Sequence, residues 1–209
     1  MASGGPENVI LPAFLCVPEH QREKAERLID YCWKLDRTHV RLTVMSREEQ
    51  ESFTPEFPQN RFHSLQAQGV HRAAFRADGP FIWLEADAIP LKPNWAARLS
   101  EEYERRGKKF LISSDSNPPF DRVGGIGCYP KETRWLLPQH FPKSSWDLWL
   151  IEAVPHLVAR TAMIQHSYCV YGSDGFCKDE HRFPRDNPIL RKEALIFHRD
   201  PHQDLLNGK

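Results

Sequence analysis

The strongest chemical signal in the chain is a pair of acids, two residues apart, at the end of an apolar run. The run is Phe81-Ile82-Trp83-Leu84, and Glu85-Ala86-Asp87-Ala88-Ile89-Pro90 follows it directly. Four consecutive apolar residues suit a central strand covered on both faces. In an open parallel sheet, ligands bind beyond the carboxyl ends of the strands, which is where Glu85 and Asp87 fall. Two carboxylates there can reach one hard cation, Mn or Mg, which takes oxygen ligands from protein and phosphate alike. An ion held in this way binds a diphosphate and neutralises its charge as it leaves. The plain alternative is a pair of solvated loop acids. The context favours the metal: Asp78-Gly79-Pro80 sets the strand off, and Pro90-Leu91-Lys92-Pro93-Asn94-Trp95 opens a helix behind the acids.

The surrounding segments alternate strand and helix. Val9 to Val17 is short and apolar and reads as a buried strand ending near Pro18. From Glu19 to Leu35, the residues Ala25, Leu28, Ile29, Cys32 and Leu35 recur at spacings of three and four, the pattern of an amphipathic helix. Val40 to Met45 alternates apolar with polar and predicts a second strand. Strand, helix and strand in this order predict a βαβ unit and a parallel sheet.

Residues 47–61, with Pro55 and Pro58, read as a loop. Ser64 to Ala77 predicts a helix with Leu65, Val70, Ala73, Ala74 and Ala77 in the core, stopped at Asp78-Gly79-Pro80. Pro93 to Arg105 predicts another, with Trp95, Leu99 and Tyr103 on one face and Gly107 as its stop. Phe110 to Ser113 reads as a buried strand, and Asp115 to Pro130 as a loop-rich stretch. Ser145 to Leu157 reads as a short helix, Thr161 to Tyr171 as a strand, and Ala194-Leu195-Ile196-Phe197 as an apolar island in a polar tail. The expected architecture is a single α/β domain over residues 1–209. It has a nucleotide-binding half at about 9–113, an acceptor-side half at about 114–200 and a flexible tail at 201–209.

The stretch from Phe81 to Trp95, followed by Leu99 and Glu102-Tyr103, resembles the DxD region of GT-A nucleotide-diphospho-sugar transferases, most closely the small bacterial and phage-type members. The resemblance implies a GT-A, Rossmann-like sheet and a metal-dependent glycosyltransferase acting on a nucleotide-sugar, with a UDP-sugar the expected donor. Glu85 stands where the motif usually has Asp; its longer side chain would ligate through water or contact the ribose, with Asp87 the direct ligand. The family's nucleotide site maps onto Val17, Pro18 and Glu19 at the end of the first strand, with Ala86 in the acidic turn. Arg72, on the helix before the acidic strand, would reach the diphosphate or the base; the neighbouring Arg76 reads better as a solvated helix residue. Gly124-Gly125-Ile126-Gly127-Cys128-Tyr129-Pro130 is similar to the glycine-rich strand lining the sugar and acceptor pocket, where small residues let backbone approach a ligand; Gly125 and Gly127 carry that role, against a plain reading as a glycine turn.

Ser145-Trp146-Asp147-Leu148 resembles the acidic segment at a helix start that faces the acceptor. It implies Asp147 as general base for the acceptor hydroxyl, against a second reading as a negative charge at a helix N-terminus, worth about 0.3–1 kcal/mol. Ala194 to Asp200 resembles the C-terminal strand whose His completes the metal site, which implies His198 as a ligand, with His166 a weaker competitor. Phage-type members also glycosylate modified bases, so DNA bearing hydroxymethylpyrimidines joins saccharides, lipid-linked and small molecules as a candidate acceptor. The basic run Arg105-Arg106-Gly107-Lys108-Lys109 and the group Arg182, Arg185, Arg191 and Lys192 are the candidate phosphate contacts.

Bulk composition narrows the alternatives. The 209 residues are 40% hydrophobic and 27% charged, enough for a packed core, and the formal net charge of zero gives no global footprint for nucleic acid or anionic membrane. Five scattered cysteines have neither C-x-x-C nor zinc spacing and read as reduced thiols. The start of the chain lacks a basic, then apolar, leader, and no apolar run is long enough to span a bilayer, so a cytoplasmic protein without membrane partners is expected. A nucleotidyltransferase would use a similar core but needs a glycine-rich loop after the first strand, where this chain has Cys16-Val17-Pro18-Glu19-His20. A non-catalytic nucleotide-sugar-binding module with a degenerate transferase fold is the other alternative. A metal-dependent hydrolase ranks low, because none of the ten histidines forms an H-x-H or H-E-x-x-H pair.

Overall fold

Alternation along three parallel strands divides the core in two. In the computed structural model, β1 (Ala13–Pro18) pairs in parallel with β2 (Val40–Met45) on one side and β3 (Phe81–Leu84) on the other. Successive strand residues point to opposite faces. Ala13, Leu15, Val17, Ile82 and Leu84 therefore face one layer, packed against Ala25, Leu28 and Cys32 of α1 (Arg22–Asp36). Phe14, Phe81 and Trp83 face the other, packed against Ala67, Val70, Ala73 and Ala74 of α2 (Arg61–Ala77). All four residues of β3 are buried, each worth about 2 kcal/mol of transfer free energy. The structure describes residues 10–46, 61–113, 125–136, 146–166 and 192–198, and the side chains of 61–66 and 146–148 fall outside that description. The expected loop at 47–60, the core role of Leu65, the tail at 201–209 and the cations Arg182, Arg185 and Arg191 likewise lie outside the described residues.

The sheet continues as β2-β1-β3-β6-β5-β7. β5 (Phe110–Ser113) and β7 (Val158–Thr161) run parallel to each other, while β6 (Gly127–Tyr129) is inserted antiparallel between β3 and β5. Composition alone reads 115–130 as loop-rich, whereas the family resemblance gives a glycine-rich strand there; β6 is that strand, and its cause is tertiary. Gly127 sits so close to β5 that an added Cβ would lie 2.0 Å from the Leu111 carbonyl oxygen, so only glycine lets the strand enter the sheet. α3 (Trp95–Arg105) buries the expected Trp95, Leu99 and Tyr103 on the α1 side. It is tied to the end of α1 by the Asn94 amide, which donates to the Asp36 carboxylate at 2.8 Å. The short α4 (Thr133–Leu136) and α5 (Trp146–Ala153) follow β6, and Leu150 of α5 joins the α2-side core.

A second sheet of three short strands, β4-β9-β8, lies beyond the acids. β4 (Ala88–Pro90) pairs antiparallel with β9 (Ile196–His198), which pairs in parallel with β8 (Ile164–His166). The single strand expected at Thr161 to Tyr171 is instead two, β7 and β8, which a turn at Ala162-Met163 assigns to different sheets; residues 167–171 lie outside the described residues. No helix among the described residues is long and apolar enough to cross a membrane.

Candidate metal centre

The chain leaves β3 at Leu84 into a tight turn, in which the Ala88 amide donates to the Glu85 carbonyl at 2.9 Å. Ala86 tucks its methyl into the α1-side core, while Glu85 and Asp87 stay partly exposed, at 16% and 27% of their side-chain surface. β4 starts immediately after the turn, and its register places His198 of β9 opposite Ala88. His198 Nε2 then lies 3.1 Å from Glu85 Oε2 and 3.4 Å from Asp87 Oδ1. One ligand atom from each of the three residues falls within 4.8 Å of the others, an arrangement able to hold a metal ion. Behind this face, His198 Nδ1 is 2.6 Å from Nδ1 of His166.

Charge dominates the site. Burial alone would pull the His198 pKa down, but the Asp87 and Glu85 carboxylates act against it by charge and hydrogen bonding and push it up to about 9. The carboxylates thus favour the charged form of His198, whose Nε2 faces both of them. Two carboxylates and one imidazole fit a divalent ion that accepts oxygen together with one nitrogen ligand, as Mn does.

The parallel pairing of β1 with β3, and the antiparallel pairing of β6 with β3, put several of the remaining sequence candidates on the same edge. Leu15 pairs with Leu84, so Val17, Pro18 and Glu19 extend past the end of β3 on the side of the acids. Val17 is buried; Glu19 is exposed and held by Arg22 through two bonds of 2.7 and 2.9 Å. Gly127 pairs with Trp83, so Gly125-Ile126-Gly127 enters β6 at that edge too, and the Tyr129 hydroxyl donates to the Gly125 carbonyl.

Arg72 stands on α2 beside the stripe of Ala67, Val70, Ala73 and Ala74 that meets the sheet, and Arg76 donates to Thr43 Oγ1 on β2. Asp147 is in the first turn of α5, with its side chain outside the described residues. Within the basic run, Arg105 and Arg106 are held by the buried Glu102, each with a guanidinium nitrogen 2.8 Å from a carboxylate oxygen, and Lys108 pairs with Glu104.

Glu85, Asp87 and His198, the ligands expected from the sequence, do meet in the structure, but they meet through β4, the strand that carries the turn to β9, which the sequence did not reveal. Nor did it anticipate the seat of His166 behind His198. The one available signal was that both histidines close short apolar segments.

A mostly parallel six-stranded sheet with one antiparallel strand inside it, helices on both faces and acids at its carboxyl edge is the GT-A arrangement. Among solved structures, the crystal structure of mouse xyloside xylosyltransferase 1 in its apo form is similar, with a TM-score of 0.55 over 91% of this chain and 98% of that one, at 10% sequence identity. No protein-family profile and no curated protein matches the sequence.

Proposed function

We propose that the protein is a metal-dependent glycosyltransferase that moves a sugar from a nucleotide-sugar, a UDP-sugar in the first instance, to an acceptor hydroxyl. The observation that carries the proposal is the meeting of Glu85, Asp87 and His198 at the carboxyl edge of β3, in a fold shared with a xylosyltransferase. In this reading the three side chains hold a divalent cation, Mn or Mg. When bound, it supplies positive charge to the diphosphate leaving group, the type of electrostatic stabilisation that contributes most to such reactions.

The remaining roles belong to the chain itself. Val17, Pro18 and Glu19 lie on the edge where base and ribose would rest, and the backbone of Ala86 borders the same turn. Arg72 is the candidate cation for the diphosphate. Gly125 and Gly127 border the sugar side, and Asp147 is the candidate base that takes the acceptor proton. The acceptor class includes a hydroxymethylated DNA base. The pairing of Arg105, Arg106 and Lys108 with acids of α3 leaves that basic run a weaker phosphate contact than its composition suggests.

A thermal-shift screen of nucleoside diphosphates and nucleotide sugars, with and without Mn, tests the donor. Ligand at about 100 times its dissociation constant stabilises the folded state by about 2.7 kcal/mol. Slow release of nucleoside diphosphate that disappears in Asp87→Ala supports the transferase. Donor binding without release favours the non-catalytic binding module, and absence of both rejects the transferase. Gel retardation of DNA across a salt series tests the acceptor: a steep loss of binding with salt supports DNA, and no binding removes it.

A further inference from the structure

We propose that His166 is a positioning residue for the metal centre: its Nδ1 accepts the Nδ1–H of His198 and so holds the His198 ring with Nε2 turned to Glu85 and Asp87. The inference rests on reading the Glu85–Asp87–His198 cluster as a cation site. The two histidines are register partners on the parallel strands β8 and β9, so their side chains leave the sheet on one face. Both are buried. Their rings meet edge to face, with centroids 4.5 Å apart and planes at 74°.

The 2.6 Å between their Nδ1 atoms is a hydrogen-bond distance. The contact is made on the side of the His198 ring away from the acids, because Nε2 is the atom that faces Glu85 and Asp87. Among the described residues, only Glu85, Asp87 and His198 bring ligand atoms within 4.8 Å of one another, so His166 stands behind the site and is not a fourth ligand.

Proton placement follows. A His198 that ligates through Nε2 carries its proton on Nδ1. His166 then accepts at Nδ1 and keeps its own proton on Nε2. A hydrogen bond to the far nitrogen of a ligating histidine fixes its tautomer and orientation and raises its basicity as a ligand.

The test uses the full chain with Mn2+ as probe, free Mn2+ being counted by electron paramagnetic resonance, and compares wild type, Asp87→Ala, His166→Leu and His166→Asn. Leucine removes the acceptor while remaining apolar; the Asn side-chain oxygen can take the place of Nδ1. The expected result is Mn2+ binding weakened about 10–100-fold in H166L and largely restored in H166N, with thermal melts reporting folding. A wild type that binds Mn2+ while H166L binds it equally well overturns the inference and leaves the metal reading standing. A wild type that binds no more Mn2+ than Asp87→Ala removes both.

Where the leucine variant fails to fold, nitrogen-15 spectra of the wild type with Zn2+ as the diamagnetic probe decide the matter. A through-hydrogen-bond coupling between the two Nδ1 nitrogens is expected. A His198 proton found on Nε2 overturns the proposal.

Discussion

Metal binding at this site should release a proton, and the affinity should climb steeply with pH. In the metal-free protein, burial opposes the charged form of His198, but Asp87 at 3.4 Å and Glu85 at 3.1 Å outweigh it and hold the pKa at about 9. A ligating imidazole must be neutral, so each bound ion displaces the Nε2 proton wherever the pH is below that value. The linkage gives about a tenfold gain in Mn2+ affinity per pH unit from pH 7 towards 9, flattening above it. Calorimetry in two buffers of different ionisation enthalpy should count close to one proton released per ion at pH 7, and titrations at pH 7, 7.5, 8 and 8.5 should trace the slope. A pH-independent affinity with no proton release would contradict this linkage. His198 would then be either neutral in the free protein or absent from the ion's coordination.

The same group makes the metal-free protein less stable at alkaline pH. A folded pKa of about 9 against the ordinary histidine value of 6.5 means that the stabilisation is full below pH 6.5. It is lost as pH rises to 9, an effect of about 3 kcal/mol that urea unfolding at pH 6.5 and 9 should register; unchanged stability would speak against the ion pair. Gly127→Ala places a Cβ 2.0 Å from the Leu111 carbonyl oxygen and should cost about 3 kcal/mol or more. Gly69→Ala meets Trp83 at 2.8 Å and Cys16 at 3.0 Å, and should cost about 1–3 kcal/mol; chemical denaturation ranks the two, and the reverse order would contradict the packing described. Burial raises the Cys128 thiol well above its ordinary range and Cys32 to about 12. Peptide mapping after alkylation of the native protein at pH 8 should therefore find both thiols unmodified, and rapid labelling of either would contradict its burial.

What the sequence disclosed, and what it hid, follows from the range of the forces involved. α1 was legible because Ala25, Leu28 and Cys32 repeat with the helical period, and all three are buried. β2 was legible from its alternation, and β3 from four apolar residues in a row. The acids were legible because their chemistry is local: two carboxylates at the end of a buried strand need no distant partner to be noticed. The strands β4, β6, β8 and β9 have three residues each. That is too few to show a period, and they are strands only because other segments supply their hydrogen bonds. Gly127 reads as a turn residue in isolation, whereas its reason for being glycine is the carbonyl of Leu111. The approach of His198 to Glu85 spans 113 residues of sequence and that of His166 to His198 spans 32. His198 was reached through a family resemblance, which also named His166 as a weaker competitor for the same role; the contact of His166 with His198 came only from the register of β8 and β9.

In the proposed function, Glu85, Asp87 and His198 grip one divalent ion onto which a nucleoside diphosphate docks. Mn2+ binding measured by electron paramagnetic resonance, with and without UDP, in wild type and Asp87→Ala tests it most directly. One Mn2+ per wild-type chain, bound more tightly when UDP is present, with both effects lost in Asp87→Ala, is the expected result. A variant that binds Mn2+ and UDP as well as the wild type would contradict the claim.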